Sequence, residues 1–428
     1  TMLYHLFDWL KEEGIRFPGI ELFRFITFRT MVAVLLSLFI TLVYGKKLIQ
    51  FLQARQFSEG VRNLGLAGEN LKKDTPTMGG IIIILAILIP TLLLADLTKV
   101  YVQLMLISTI WLGVIGFVDD YLKLRGKRRA KESGVEHKKS NDDGLAGRFK
   151  ILGQVGLGII VGTTLYFNSE VKIWRQYVGT AEQAKADSTV ITKTVNGQAK
   201  YFVETKTPIT TIPFVKNHEF NYSKLLPADW RSYTWLLYIL IVIFIITAVS
   251  NGANLTDGLD GLATGTSALI GVLLGIFAYA SGNLVFADYL NIMYIPDLGE
   301  LSIFIAAMIG ACIGFLWYNS FPAQMFMGDT GSLTLGGIIA ALAIIVHKEL
   351  LIPIFCGVFL VEALSVMIQV GYFKYTKRKY GAGRRVFRTA PIHHHFQALG
   401  LHEVKIVNRF WIVTVLLVVL CIVTLKIR

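Results

Sequence analysis

The sequence predicts an all-α polytopic membrane protein with about ten transmembrane helices and a small, β-rich insertion on the outer side. Of its 428 residues, 54% are apolar and only 17% are charged, whereas soluble domains carry roughly 25% charged residues. The mean hydropathy is +0.56, and the apolar residues form blocks of about 20 residues, the length of helix that crosses a hydrocarbon core. This composition excludes an ordinary soluble protein, a disordered chain and a secreted disulfide scaffold.

Ten apolar blocks are long enough to be considered as spans, and we expect them to form one integral membrane domain over residues 1–428. The eighth block is the shortest and weakest. The predicted spans are 23–44, 78–95, 100–118, 149–167, 232–250, 262–281, 301–318, 333–346, 350–373 and 409–425. A short amphipathic stretch at 3–10 precedes them and is expected to lie in the membrane interface.

The formal net charge of +13 is distributed unevenly between the two sides that these spans define. The basic loops follow the first, third and ninth spans, at residues 46–73, 123–139 and 374–388, whereas the opposite short loops hold little beyond Lys99 and Lys348. Because cytoplasmic loops are enriched in lysine and arginine, the basic side is expected to be cytoplasmic and both termini to lie outside.

A polar segment, residues 168–231, interrupts the apolar pattern on the outer side. It is rich in Thr, Lys and Asn, and residues 189–195 and 200–203 alternate in a way that favours strands. Segments longer than about 60 residues cross the membrane regardless of their charge, so its basic residues do not contradict the topology. We expect a periplasmic β-rich insertion, to which the sequence assigns no function.

The predicted cytoplasmic loops contain nearly every dense polar cluster. Residues 72–80 combine lysine and threonine with Pro76 and two glycines, a turn whose backbone N–H groups could approach a phosphate. At the end of the third span, Asp119 and Asp120 are adjacent. Their mutual repulsion favours a bound cation or protonation of one carboxylate, while a solvated helix end is the simpler alternative.

A second cluster lies between the fifth and sixth spans. If the chain is helical from Asn254, then Asn254, Asp257 and Asp260 share one face; the intervening glycines equally allow a tight loop. Helix capping is the alternative that needs no ligand. Between the seventh and eighth spans, Asp329 stands at the start of a span without a cation nearby in the sequence.

Three consecutive histidines, His393 to His395, precede the last span. Neighbouring residues do not point to one centre and this side holds no cysteine, which argues against zinc. Carboxylates and amides instead favour a hard ion such as Mg²⁺, with histidine donating hydrogen bonds to phosphate or sugar. The clusters therefore suggest magnesium-supported phosphoryl transfer at the inner surface, with a lipid phosphate as one reactant. A transporter is disfavoured, because transport sites lie near the midplane.

Five stretches resemble the phospho-N-acetylmuramoyl-pentapeptide transferase family, within the superfamily of polyprenyl-phosphate N-acetylhexosamine-1-phosphate transferases, over nearly the whole chain. They are residues 75–80, 116–120, 254–262, 326–332 and 391–395. The last stretch, Pro-Ile-His-His-His, is similar to the muramoyl-pentapeptide branch rather than to those that use UDP-N-acetylglucosamine.

The resemblance implies a bacterial inner-membrane enzyme that transfers phospho-MurNAc-pentapeptide from UDP-MurNAc-pentapeptide to undecaprenyl phosphate, giving lipid I and UMP. It implies Mg²⁺ as cofactor, with Asp329 as principal ligand and Asp119 and Asp120 beside it, one of which deprotonates or positions the lipid phosphate. The same chemistry on a GlcNAc donor is the alternative. We expect a homodimer and no nucleic-acid partner, and the choice between direct attack and an aspartyl intermediate stays open.

The resemblance also implies a nucleotide-sugar pocket in which Phe326 stacks on uracil. The remaining pocket residues are Lys72, Thr77, Asn254, Asp257, Asp260, Asn319, Gln369, His393, His394 and His395. One departure concerns Asp143, which stands where family members often carry a basic residue, so a phosphate role is not expected there.

Overall fold

Long apolar helices dominate the part of the chain that the structure describes. The computed structural model describes residues 20–55, 75–132, 147–177, 190–195, 197–206, 208–212, 219–290 and 292–424, and the single positions 3, 13, 179 and 183. Within these residues, nine helices are long and apolar enough to cross a membrane, and Gly80–Leu94 is a shorter apolar helix. The polytopic all-α class is confirmed, and each predicted span corresponds to a helix.

The helices and strands follow the chain in the predicted order. The helices are α1 (Ile26–Ala54), α2 (Gly80–Leu94), α3 (Val100–Glu132), α4 (Gly147–Phe167), α5 (Thr234–Thr256), α6 (Leu262–Ser281), α7 (Leu284–Leu290), α8 (Leu301–Asn319), α9 (Gly328–Ile345), α10 (Ile352–Phe355), α11 (Gly357–Tyr380), α12 (Ile392–Ala398) and α13 (Glu403–Thr424). The strands are β1 (Ile173–Gln176), β2 (Val190–Val195), β3 (Gln198–Thr205), β4 (Ile209–Thr211) and β5 (Glu219–Asn221).

Helix α9 lies at the centre of the bundle, and every residue from Thr330 to Ile345 is buried. It packs against α3 on one side and α5 on another. A methyl group added at Gly337 would lie 1.9 Å from Leu112 of α3, and one at Gly336 would lie 2.7 Å from Ala253 of α5. Small residues permit this close packing between membrane helices. The prediction that the eighth span is the shortest is wrong, because α9 has 18 residues and α2 has 15.

A buried ion pair joins three helices at the end of the bundle opposite Asp329. Arg29 of α1 donates to both carboxylate oxygens of Glu300, at 2.8 and 2.5 Å, and to the carbonyl of Leu94 at the end of α2. Glu300, which directly precedes α8, also accepts the backbone N–H of Asp96 at 3.0 Å. The bidentate geometry and the additional hydrogen bonds satisfy charges that the surrounding apolar side chains could not.

The polar insertion forms two small antiparallel sheets, with strand order β1-β3-β2 in one and β4-β5 in the other. The strands expected at 189–195 and 200–203 correspond to β2 and β3. Thr211 of β4 donates its backbone N–H to the carbonyl of His347 at 3.1 Å and accepts from Lys348 Nζ at 2.8 Å. The insertion thus rests on the turn that follows α9.

Buried ionisable groups meet at this turn. The hydroxyl of Tyr222 donates to Glu349 Oε1 at 2.7 Å. Burial raises the pKa of Glu349 to about 7 and lowers the pKa of Lys348 to about 8. Since α9 runs from Asp329 to this turn over 18 residues, or about 27 Å of helix, the insertion and the aspartate cluster lie at opposite ends of the bundle.

We expect Glu300→Gln to lower the unfolding free energy by about 3–5 kcal/mol, because Arg29 would remain buried without its counter-ion. Thermal unfolding of the purified protein in detergent measures the change. The matched control is Glu204→Gln, since Glu204 pairs with Lys172 where the two side chains are 38% and 40% exposed; an exposed pair contributes about 0–1 kcal/mol. Equal shifts in the two variants would show that the buried pair has no special structural role.

Candidate active site

Asp119 and Asp120 lie within a continuous helix rather than at its foot. Helix α3 continues to Glu132, well beyond the predicted end at residue 118. Asp119 is 0% exposed and Asp120 is 4% exposed. Because an α-helix has 3.6 residues per turn, neighbouring side chains point about 100° apart. The two carboxylates therefore face different surroundings and have different partners.

Asp120 binds the beginning of helix α9. Its carboxylate accepts the backbone N–H groups of Asp329 and Thr330, at 3.1 and 2.9 Å, and the hydroxyl of Thr330 at 2.7 Å. A carboxylate at a helix N-terminus satisfies free N–H groups and interacts favourably with the helix dipole. Gly328 adjoins this contact with φ of 73°, and a methyl group there would lie 2.6 Å from Asp120 Oδ2. The first turn of α9 is thus fixed against α3.

Asp329 lies in the first turn of α9, four residues before the predicted start of that span, where two lysines reach it. Lys123 Nζ lies 2.7 Å from Asp119 Oδ2 and 2.8 Å from Asp329 Oδ2. Lys150 Nζ lies 2.7 and 2.5 Å from the same two oxygens. Asp329 has no cation close in the sequence, yet in space it shares two ammonium groups with Asp119.

The three aspartates fit a hard divalent cation by their chemistry. One ligand oxygen from each of Asp119, Asp120 and Asp329 lies within 4.8 Å of the other two, and carboxylate oxygens are the ligands that Mg²⁺ prefers. Lys123 and Lys150 lie against two of these carboxylates. A cation bound here would therefore share those oxygens with the ammonium groups or displace one of them.

Asn254 connects the aspartates to the end of helix α5. Its side-chain Nδ2 donates to Asp329 Oδ1 and to Ser332 Oγ, both at 2.8 Å. Helix α5 ends at Thr256, and Asp257 follows as its C-cap. The helical alternative for Asn254, Asp257 and Asp260 is therefore wrong, and the loop alternative is correct.

The glycine turn at residues 75–80 packs against the segment that precedes α9. Gly79 and Gly80 donate their N–H groups to the carbonyls of Phe326 and Met327, each at 2.8 Å, so the expectation that these groups face a phosphate is wrong. A methyl group on Gly80 would lie 2.1 Å from the backbone nitrogen of Gly331. The turn holds the segment before α9 in place, and the side chain of Phe326 remains partly exposed.

Thr77 lies in the same turn, beside the aspartates. It is 4% exposed, and its hydroxyl would lie 3.0 Å from a methyl group on Gly328. The structure therefore brings Thr77 to the edge of the contact between Asp120 and the start of α9.

Asp260 and Asn319 hold the neighbouring loops together. Asp260 accepts the backbone N–H of Ala323 at 2.9 Å and donates its own N–H to Glu403 at 2.7 Å. Asn319, 2% exposed, accepts from the N–H of Gly261 and donates to the carbonyl of Met325, both at 3.0 Å. These two predicted pocket residues make loop contacts, whereas Asp257 is partly exposed beside them.

The three histidines have separate surroundings. His393 is buried, with Nδ1 3.0 Å from Oε2 of Glu362 in α11. His394 is partly exposed, and its Nδ1 lies 2.7 Å from Gln397 Oε1. His395 accepts the backbone N–H of Arg388 at 3.1 Å. Only His393 and His394 turn their outer nitrogens towards the loop at Gly258.

Gln369 also makes loop contacts. Its Oε1 accepts the N–H groups of Val386 and Phe387 at 3.0 and 2.9 Å, and its Nε2 donates to the carbonyl of Phe387 at 3.1 Å. These bonds fix the connection between α11 and α12. Lys72 and Asp143 lie outside the described residues.

Sequence reasoning missed several members of the site. Lys123 was counted only as a topology charge, although its position four residues after Asp119 places both on one helix face. Lys150 stands within a predicted apolar span, and a lysine there is itself a sign of a functional contact. No sequence signal indicated Thr330 as a partner of Asp120.

Comparisons with known proteins identify the family of this chain. The family model described as Glycosyl transferase family 4 matches residues 188–347. The phospho-N-acetylmuramoyl-pentapeptide-transferase signature 1 matches residues 72–84, which include the turn beside the aspartates. Proteins named phospho-N-acetylmuramoyl-pentapeptide-transferase from Flavobacterium psychrophilum, Flavobacterium johnsoniae and Parabacteroides distasonis are each 54% identical to this chain, over 100% of both sequences.

A polytopic helical bundle with a carboxylate and lysine cluster at one end, together with these matches, defines a membrane-embedded transferase. Within that class, identity of 54% over the full length places the chain in the phospho-N-acetylmuramoyl-pentapeptide-transferase family.

We expect Gly80→Ala to destabilise the protein strongly, because its methyl group would lie 2.1 Å from the backbone nitrogen of Gly331 and would separate α2 from α9. The measurement is the midpoint of thermal unfolding in detergent. Gly371→Ala in α11 is the matched control, since a methyl group there meets nothing within 4 Å. That substitution should be neutral or stabilise by up to about 1 kcal/mol. Similar behaviour of both variants would mean that the contact between α2 and α9 is adaptable.

Proposed function

We propose that this protein transfers phospho-MurNAc-pentapeptide from UDP-MurNAc-pentapeptide to undecaprenyl phosphate, forming lipid I and releasing UMP. Full-length identity of 54% to named phospho-N-acetylmuramoyl-pentapeptide-transferases is the observation that carries the proposal. The reaction commits a cell-wall precursor to its lipid carrier in peptidoglycan synthesis. A transporter has no comparable support, because the buried aspartates gather at one end of the bundle.

The charge arrangement of the site suits two anionic phosphates. Lys123 and Lys150 each contact Asp119 and Asp329, so their ammonium groups are held in place before a substrate arrives. Phosphoryl transfer depends mainly on positioning and on stabilising negative charge. We propose that the two lysines bind phosphate oxygens and that the carboxylates keep the lysines aligned.

Asp119 and Asp329 are the residues that we propose would hold Mg²⁺, with Asp120 beside them. When bound, Mg²⁺ would neutralise charge that develops on the transferring phosphoryl group. Asn254 donates to Asp329 Oδ1 and would leave Asp329 Oδ2 as the oxygen that faces the lysines. The set of oxygen ligands supports Mg²⁺ over a softer metal.

The two adjacent aspartates are proposed to have different duties. Asp120 accepts three hydrogen bonds from the start of α9, which supports a positioning role for its carboxylate. Asp119 faces the two lysines. Of the pair, Asp119 is therefore our candidate to position or deprotonate the lipid phosphate.

We propose that the nucleotide-sugar donor contacts the side chains that border the loop after α5 and remain partly exposed. These are Asn254, Asp257, Phe326 and His394. Asp260, Asn319 and Gln369 are proposed to shape the pocket by fixing its loops, because their side-chain groups already bond to backbone atoms.

We also propose that the site faces the cytoplasm of a bacterial inner membrane, with both termini on the other side. The described basic residues on this side, Lys123 and those within 374–388, support this orientation through the positive-inside rule. A homodimer stays a prediction.

We expect the purified protein to release UMP from UDP-MurNAc-pentapeptide only when undecaprenyl phosphate and Mg²⁺ are both present. Release of UMP and formation of the lipid product would be measured together by chromatography. Omission of the lipid and addition of a chelator are the controls. Equal turnover of UDP-GlcNAc would overturn the assignment of the donor in favour of the GlcNAc alternative.

Asp329→Asn is expected to lower kcat by about 100-fold or more, because loss of a metal ligand removes several kcal/mol of charge stabilisation. The variant should also need more Mg²⁺ for half-maximal rate, which a titration would measure. The matched control is Asp229→Asn, because Asp229 is exposed and lies at the opposite end of the bundle. We expect the kinetics of this variant to be unchanged. A near-normal rate for the Asp329 variant would remove this residue from the proposed site.

A further inference from the structure

Glu362 is a carboxylic acid in the interior of the apolar helix α11, and it is 0% exposed. Its Oε2 lies 3.0 Å from Nδ1 of His393, which is also 0% exposed, and this contact is an ion-pair distance without the angles of a hydrogen bond. An acidic side chain at this depth is costly and is retained in membrane helices mainly where it has a partner and a function.

The outer nitrogen of His393 faces the loop that follows α5. A methyl group built on Gly258 would lie 2.2 Å from Nε2 of His393 and 3.3 Å from Nε2 of His394. Within the described residues, Nε2 of His393 has no hydrogen-bond partner. Gly258 itself is exposed and follows the partly exposed Asp257. A buried, unpartnered nitrogen is thus directed at the exposed edge of the proposed donor pocket.

His394, the next residue, also has one ring nitrogen near a side-chain oxygen and the other directed at Gly258. Nδ1 of His394 lies 2.7 Å from Oε1 of Gln397, while its Nε2 also faces Gly258. The two imidazole centroids are 4.2 Å apart. In both residues a side-chain oxygen lies within 3.0 Å of the inner nitrogen, and the outer nitrogen faces Gly258. An acceptor at Nδ1 fixes both the orientation and the tautomer of an imidazole.

We propose that Glu362 is a positioning residue that holds Nδ1 of His393 and thereby presents Nε2, together with Nε2 of His394, to the phosphate or sugar oxygens of the nucleotide-sugar donor at Gly258. This inference rests on the proposed function, because it assigns the histidines to that donor. In a purely structural role Glu362 would affect only stability, whereas a positioning residue also affects the contact that His393 makes with the donor.

The first test is Glu362→Met, which replaces the buried acid with an apolar side chain of similar size. Because the substitution leaves the buried Nδ1 of His393 without its partner, we expect the unfolding midpoint to fall, and the kinetics are therefore measured well below that midpoint. We expect kcat/KM for the UDP-MurNAc-pentapeptide donor to drop by about 10- to 100-fold, as when an orienting partner of a functional histidine is lost. Glu362→Gln keeps an oxygen beside Nδ1 of His393 and should recover part of the rate. A Gln variant no better than Met would overturn the proposed positioning of His393 by this oxygen.

Thr91→Val in α2 is the matched control. Thr91 is 0% exposed, and its hydroxyl donates at 2.7 Å to Ile87 of the same helix. Its substitution also removes a buried polar group from an apolar helix, and the donor kinetics should be unchanged.

A double-variant cycle distinguishes positioning from packing. In the His393→Ala background, Glu362→Met should cause no further loss, because the residue through which it acts is absent. Independent losses that multiply in the double variant would overturn the proposal.

The state of the imidazole provides a readout that does not depend on turnover. Solid-state ¹⁵N NMR of the full chain, labelled at its 8 histidines and held in lipid bilayers, would identify the His393 signal by its loss in His393→Ala. We expect a protonated Nδ1 in the wild type and loss of this preference in Glu362→Met. An unprotonated Nδ1 in the wild type would overturn the proposal. Absence of UMP release by the wild type would instead refute the proposed function and leave this spectroscopic test in force.

Discussion

The contact between Asp120 and the first turn of α9 is the constraint on which the rest of the site depends. Its three hydrogen bonds fix where α9 begins, and therefore where Asp329 lies relative to Asp119. The contact is possible because a methyl group on Gly116 would lie 2.4 Å from the carbonyl oxygen of Asp329, so α3 and α9 meet at their backbones. Small residues at the crossing thus determine the spacing of the carboxylates.

The polar groups around this contact divide into those that bond to the backbone of loops and those that pair with charged side chains. Asp260 and Asn319 bond to loop N–H and carbonyl groups that are buried away from water, and Gln369 bonds to the more exposed connection between α11 and α12. Asp119 and Asp329 instead meet the ammonium groups of Lys123 and Lys150. The site is thereby assembled as a rigid frame of loops around a small set of charged side chains, which suits chemistry that requires positioning.

Much of the fold follows from local patterns. The apolar blocks are long enough to require helices, since a membrane offers no other partners for backbone groups, and alternation within 168–231 indicated strands that formed as β2 and β3. The positions at which helices begin and end near the site were less predictable. The polar residues near the starts and ends of α3 and α9 looked like loop sequence, yet Asp119 and Asp329 are helical because partners from other helices satisfy them.

Hydropathy and local motifs were enough to predict the membrane class, the apolar helices and the family resemblance, and that resemblance in turn implied the three clustered aspartates. Which polar residues are neighbours depended on the tertiary structure. Lys150 reaches Asp329 across 179 positions of chain, and Glu362 reaches His393 from a separate helix. Such pairs are set by the packing of helices whose contacts are non-local, so no spacing in the sequence could encode their distance.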